Sequence, residues 1–405
     1  MKVRTQPPSL FPQAAGGSGG RFCRFGRLWL KLRARRHKSR RGRPCNLGKQ
    51  RTCRMAPPPV ANNRSLFLST LDGNGECLIY SVHLESVPPA DGSGEPPALE
   101  IRPSADPVAR WSEDEQEYSA FAAVSGGTIV ALVAGSRKTV IRDTATGADA
   151  PGPLLRRPKR HPAMLPVGDD TVLVMNTDVR PGRCCFEALR RVAGGEWRAE
   201  HFPDPPLDDW DALVTAYFAR GSRAWISLER CGTFSLDVEL GTWRMEGTWE
   251  LRPLEERGLF VPELGLVFGI AGGLKRTDPS TCIFHMCAID VEARPRPVVR
   301  RVWEFAREGV EEFDGMSTTV SLAHLGNGRF FISRSIAVQV PIPGNEERTW
   351  KQRATSFTVA DVTLLPGGDL KLAKLGKSST HVWPYSYCDH NVWPYSYCGH
   401  AMFLP

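Results

Sequence analysis

A block of apolar strand, short polar turn and second strand recurs about six times between residues 65 and 378. One copy runs through Thr139–Val140–Ile141–Arg142–Asp143 and turns at Thr144–Ala145–Thr146–Gly147. Another runs through Thr233–Phe234–Ser235–Leu236–Asp237 and continues by Val238–Glu239–Leu240–Gly241 into Thr242–Trp243. These segments are rich in β-branched and aromatic residues and are bounded by Gly, Pro, Asp and Asn. No long amphipathic helix pattern interrupts them; the best helical stretch is short, near Glu304–Phe313. A four-strand unit of this kind cannot bury both of its faces alone. Packing such units face to face in a closed ring covers the faces and protects the edges.

The pattern predicts an all-β fold, a β-propeller-like array of about six four-stranded blades. A seven-bladed ring or an open sandwich is the structural alternative. The blocks open at Ser65, Ala120, Ala163, Ala216, Gly258 and Val320. Asp143, Arg190 and Asp237 fall at equivalent third-strand ends, 47 residues apart each time; Asp290 follows 53 later and Asp361 71 later. An Asp at such an end is expected to start the turn by accepting hydrogen bonds from backbone amides rather than to act on a substrate. To close, the ring is expected to pair Ser65–Thr70 with strands of the last block.

Three segments follow: a disordered Arg-rich leader at 1–60, the propeller at 61–380 and a duplicated tail at 381–405. Residues 1–55 hold 16 Lys and Arg and no acid, so the net charge of +8 conceals a body with 36 Lys and Arg against 44 Asp and Glu. By charge the body is no general nucleic-acid binder, which leaves nucleic-acid contact to the leader alone. The leader has too few apolar residues to bury a core. It reads as an idle extension before a second start at Met55–Ala56–Pro57, as an organellar transit peptide, or as a nuclear-localisation or RNA-contacting arm. The 11 cysteines are scattered and odd in number. They suit reduced thiols in the cytoplasm or nucleus, with an organelle the alternative if the leader is a transit peptide. The longest apolar stretch, Gly258 to Leu274, is broken by Pro262 and Glu263, so no transmembrane span is expected.

Few constellations offer chemistry. The tail repeats itself: His381–Val382–Trp383–Pro384–Tyr385–Ser386–Tyr387–Cys388–Asp389–His390 is followed by Asn391–Val392–Trp393–Pro394–Tyr395–Ser396–Tyr397–Cys398–Gly399–His400. Cys388, His390, Cys398 and His400 would give four zinc ligands, but the spacing matches no finger, and a microduplicated terminal strand is the preferred reading. Cys282, His285 and Cys287 form a second candidate cluster, although on a strand residues 285 and 287 share a face and 282 points away. The acidic groups Asp204, Asp208, Asp209 and Asp211, and the run Glu113–Asp114–Glu115–Glu117, read as solvated loop faces rather than cation sites. No phosphate-binding loop, nucleophile elbow or zinc-protease motif is present. No catalytic, metal-binding or cofactor-binding residue is assigned, and no cofactor is expected.

Residues 60–385 resemble a large group of uncharacterised plant proteins, abundant in grasses, with kelch-like or galactose-oxidase-like propellers. The resemblance rests on Cys231–Gly232–Thr233–Phe234–Ser235–Leu236–Asp237, Trp243–Arg244–Met245, Gly258–Leu259–Phe260–Val261–Pro262–Glu263–Leu264 and Cys287–Ala288–Ile289–Asp290. Paired glycines survive as Gly126–Gly127 and Gly194–Gly195, and the F-box of some such proteins is missing. The resemblance implies a propeller and no established reaction. The expected function is a non-enzymatic propeller binding a protein or peptide partner through loops such as Pro88–Pro97, Leu274–Thr281 and Pro341–Lys351. The alternative is a small-ligand-binding or enzymatic propeller using the central channel, which the apolar first strands Ala120–Val124 and Leu165–Val167 disfavour.

Overall fold

The computed structural model describes residues 66–71, 77–87, 98–111, 119–133, 135–180, 182–207, 211–271, 284–305, 317–342, 345–382 and 401–403. Strands β1 (Leu66–Leu71), β2 (Cys77–Val87) and β3 (Ala98–Pro103) form one antiparallel sheet, with the short β4 (Ala109–Trp111) also on β2. A meander follows of β5 (Ser119–Val124), β6 (Thr128–Val133), β7 (Thr139–Asp143) and β8 (Asp149–Pro151). The third sheet holds β9 (Pro162–Pro166), β10 (Thr171–Asn176), then, past the stray β11 (Asp178–Val179), β12 (Phe186–Arg191) and β13 (Trp197–His201). Next come the meander β14 (Ala212–Arg220), β15 (Arg223–Leu228), β16 (Gly232–Asp237), β17 (Thr242–Gly247) and the meander β18 (Leu254–Val261), β19 (Leu266–Ala271), β20 (Phe284–Asp290), β21 (Val298–Phe305). The last meander is β22 (Ser317–Gly326), β23 (Arg329–Ile342), β24 (Asn345–Leu364) and β25 (Leu370–Val382). Finally β26 (Ala401–Phe403) returns to pair with β1, Leu66 opposite Phe403 and Leu68 opposite Ala401.

The strands that lead each sheet, β26, β5, β9, β14, β18 and β22, neighbour one another in turn and so close a ring. Apolar clusters fill the spaces between successive sheets. Phe67 and Ile79 pack with Phe121 and Ile129, Val130 and Leu132 with Val172 and Val174, and Leu173 and Phe186 with Ile226 and Leu236. Ala216 and Trp225 pack with Val267 and Cys287, Phe268 and Met286 with Phe330 and Ile332, and Phe331 and Phe357 with Leu66 and Tyr80, back at the first sheet. Second strands such as Thr171–Asn176 are therefore covered on both faces and run continuously apolar from Val172 to Met175. Outermost strands such as Trp197–His201 are largely exposed and polar.

The Asp-initiated turns hold. Asp143 Oδ1 accepts Ala145 N (2.8 Å) and Thr146 N (3.1 Å). Asp237 Oδ1 accepts Glu239 N and Leu240 N, both at 3.1 Å, and Asp290 Oδ1 accepts Glu292 N and Ala293 N at the same distance. Asp361 departs from the pattern: β24 continues past it, and its carboxylate takes a forked pair from Arg329 at 2.7 and 3.0 Å.

Four expectations are corrected. The number of separate blade-sized sheets is four, not about six: β14 and β18 pair in parallel, Ala216 with Glu256 and Tyr217 with Arg257, fusing two meanders into one nine-stranded sheet. The clasp expected at Ser65–Thr70 forms at Leu66–Leu68, but its partner is β26 rather than a strand of the last block. Pro341–Lys351 is no long loop: β23 and β24 run on as a hairpin in which Pro341 faces Thr349 and only 343–344 fall between the strands. Glu304 and Phe305 end strand β21 instead of opening a helix; residues 306–313 lie outside the described residues.

Candidate functional site

The fusion of β14 and β18 has a local cause. β18 pairs with β19 at Leu254–Glu255 and again from Leu259 to Val261, and the register breaks between. The intervening residues bulge away, Glu256 with φ +54, and Glu256 and Arg257 turn to β14 instead. Bulges re-aim side chains, and a non-glycine residue at positive φ is held there only when its surroundings insist. Two glycines make the room. A Cβ on Gly258 would come within 2.8 Å of Val267 and 3.0 Å of Leu254. One on Gly269, opposite, would lie 2.1 Å from Leu254 and 3.4 Å from the Arg257 carbonyl oxygen.

Three titratable side chains gather at this junction on the inner strands. The Tyr217 ring packs on the apolar cluster around Ile226. Its phenol is pushed up to about 12, by burial first and then by the nearby Glu256 carboxylate, with Arg257 partly opposing. It is therefore a neutral O–H at physiological pH. Glu256 keeps contact with water yet is crowded by protein, and burial pushes its carboxyl up. Burial lowers the Arg257 guanidinium, Tyr217 acting the other way. Arg257 Nε is shut away from water with no hydrogen-bond partner among the described residues.

A second feature is a surface groove of about 560 Å³, where the β17–β18 connection meets the start of β21. Thr248, Trp249, Glu250 and Arg252 line one side; Arg296, Pro297, Val298 and Val299 line the other. The first side is rigidly held. Thr233 Oγ1 donates to Trp249 O (2.8 Å), Leu251 N donates to Ser227 Oγ (3.1 Å), and Glu250 accepts Arg230 N (3.0 Å) and Arg252 Nε (2.9 Å). The other side is open: Val298 is 46% exposed and Val299 40%.

The candidates named from the sequence do not converge. Cys287 is buried in the core beside Val267, and burial pushes its thiol up to about 12. His285 sits 3.6 Å from Glu304 on the neighbouring strand, and Cys282 lies outside the described residues. Asp204 accepts the Cys185 amide at 2.9 Å, and Asp211 lies 3.7 Å from Arg180. Asp208, Asp209, Glu113–Glu117 and the tail residues Cys388, His390, Cys398 and His400 lie outside the described residues, as do the loops Pro88–Pro97 and Leu274–Thr281. No group of three or more potential metal ligands occurs among the described residues, and no helix there is long and apolar enough to cross a membrane. Glu256 and Arg257 were not singled out by sequence reasoning. The signal available was a charged triplet, Glu255–Glu256–Arg257, set directly against the apolar run that opens at Gly258.

Sheets packed around a closed ring of inner strands, with the ring shut by a terminal strand, define a β-propeller. The chain belongs to the family described as a protein of unknown function, DUF1668, which matches residues 42–380. No curated protein matches it. Among solved structures it is similar to the β-propeller domain of Myceliophteria thermophila Cps50 (Swd1), at 9% identity over 77% of this chain and 84% of that one, with a TM-score of 0.37. It is also similar to a chain of a nidogen/laminin complex, at 8% identity over 80% of this chain and 100% of that one, with a TM-score of 0.42.

Proposed function

We propose that this chain is a non-enzymatic β-propeller that acts as a protein-interaction module, taking an extended segment of a protein partner in the groove beside Trp249. One observation carries the reading: a hydrogen-bonded wall bearing Trp249 stands against two exposed valines and the exposed Arg296. An aromatic anchor beside apolar surface with a charged rim is the composition of a binding hot spot. The volume is enough for a few side chains. The outer strand β21, exposed from Val298 to Val302, offers unpaired backbone for an added strand.

The test is affinity capture on the immobilised chain, with R296E and V299D as matched baits. A single near-stoichiometric partner, held by the parent and lost from V299D with unchanged circular dichroism, supports the module. A partner held equally by both variants refutes the groove. An empty capture from folded protein refutes the module.

A further inference from the structure

Arg257 has no use in the groove, and its setting is costly. Arg257 is half-buried, but its Nε–H is removed from water, and a buried N–H needs a hydrogen-bond acceptor. Here Nε has no partner among the described residues. A core residue would do the packing better. The chain nonetheless holds this side chain on the inner ring with a bulge, a positive φ at Glu256 and two glycines whose Cβ atoms would collide with the packing around it. We propose that Arg257, together with the phenol of Tyr217, forms a binding site for a small ligand bearing an oxyanion, a carboxylate or a phosphate. The ligand supplies the acceptor that Nε lacks and a counter-charge for the half-buried guanidinium.

The chemistry of the neighbours fits that role. Arg257 presents a planar fork of donors suited to two oxygens at once. Tyr217, its partner across the parallel pairing, adds a phenol O–H that keeps its proton throughout the physiological range. Glu256, next in the chain and accessible to water, opposes a second negative charge, as does the exposed Glu255. A group of low charge is therefore preferred over a multiply charged one.

The experiment titrates the full-length chain with inorganic phosphate and, separately, with succinate. Thermal unfolding and calorimetry are the readouts, in a buffer without competing oxyanions. At least one probe should raise the melting temperature saturably, and the active probe identifies the source. R257M should abolish the response and weaken binding about 10- to 100-fold, the worth of a charged hydrogen-bonded contact. Without ligand, R257M should melt higher than the parent, because it removes a buried N–H that has no acceptor. R257K keeps the charge but loses the fork, so it should bind weakly; E256Q should bind several-fold more tightly. A response that survives intact in R257M, arising for instance from the Arg-rich leader, overturns the site. So does the absence of a saturable response to either probe, or an R257M variant that melts lower than the parent.

Discussion

Replacing Lys159 with methionine should destabilise the chain more than almost any surface change. Lys159 lies in the connection between β8 and β9, and Glu187 on β12; both side chains are 1% exposed, with Nζ 2.5 Å from Oε1. Lys159 also donates to the Cys184 carbonyl at 2.9 Å, and Glu187 accepts Arg156 N at 2.6 Å and Arg157 N at 3.4 Å. The network thus ties the link between two sheets to the second of them. Removing one partner of a buried pair costs about 3–5 kcal/mol, because the other charge stays buried. Here two amides remain on Glu187, each contributing about 1 kcal/mol, so the expected loss for K159M is roughly 1–3 kcal/mol. The double variant K159M/E187M removes both charges and leaves only the two amides and the Cys184 carbonyl to satisfy. It should cost much less than the sum of the single changes, with a coupling of about 2 kcal/mol or more. Urea unfolding followed by tryptophan fluorescence reads this as a shift in midpoint at constant slope. A K159M loss below about 1 kcal/mol, or a double variant equal to the sum, would refute the reasoning.

Other changes probe the links between sheets and turns. Gly328 holds φ +71, and a Cβ there would sit 2.3 Å from Val362 O, so G328A should cost roughly 2–4 kcal/mol in the same unfolding assay. D237A removes an acceptor for two turn amides and the partner of Arg223 at 3.0 Å, and should cost about 1–2 kcal/mol; no change in midpoint would mean the turn forms without it. Burial alone would raise the Glu263 carboxyl, but its bonds from backbone amides, including Gly328 N, and from His324 outweigh that and hold it below 4.5. A carboxyl depressed in the folded state adds stability above its unfolded pKa and loses it as pH falls from 4.5 through the folded value. Thermal melts across that window should therefore fall more steeply for the parent than for E263Q, and parallel curves would count against the account.

Local pattern revealed what local physics decides. Val172–Met175 and Ile129–Leu132 run apolar because a sheet covers each face, and that continuity is visible in the chain itself. The Asp143 and Asp237 turns were legible because a carboxylate two and three residues before free amides needs no distant partner. Pro341 misled in the other direction: a proline three residues before Gly344 suggests a loop, yet the long pairing from Arg329 to Pro341 carries the strand through it. The fusion of two meanders was not legible, since it depends on Gly258 and Gly269, 11 residues apart, opening space for a bulge that only the folded sheet defines. The bulge also hid Arg257. In sequence it ends a charged triplet of the kind that normally faces solvent; in the fold it is carried onto the inner ring beside Tyr217. A fold whose repeats agree with their own pattern nearly everywhere concentrates its exceptions where something other than packing was selected. Here a broken register, a strained backbone and a buried guanidinium Nε without a partner coincide within three residues of β18. Packing alone would have placed an apolar residue at that point and left the two meanders apart.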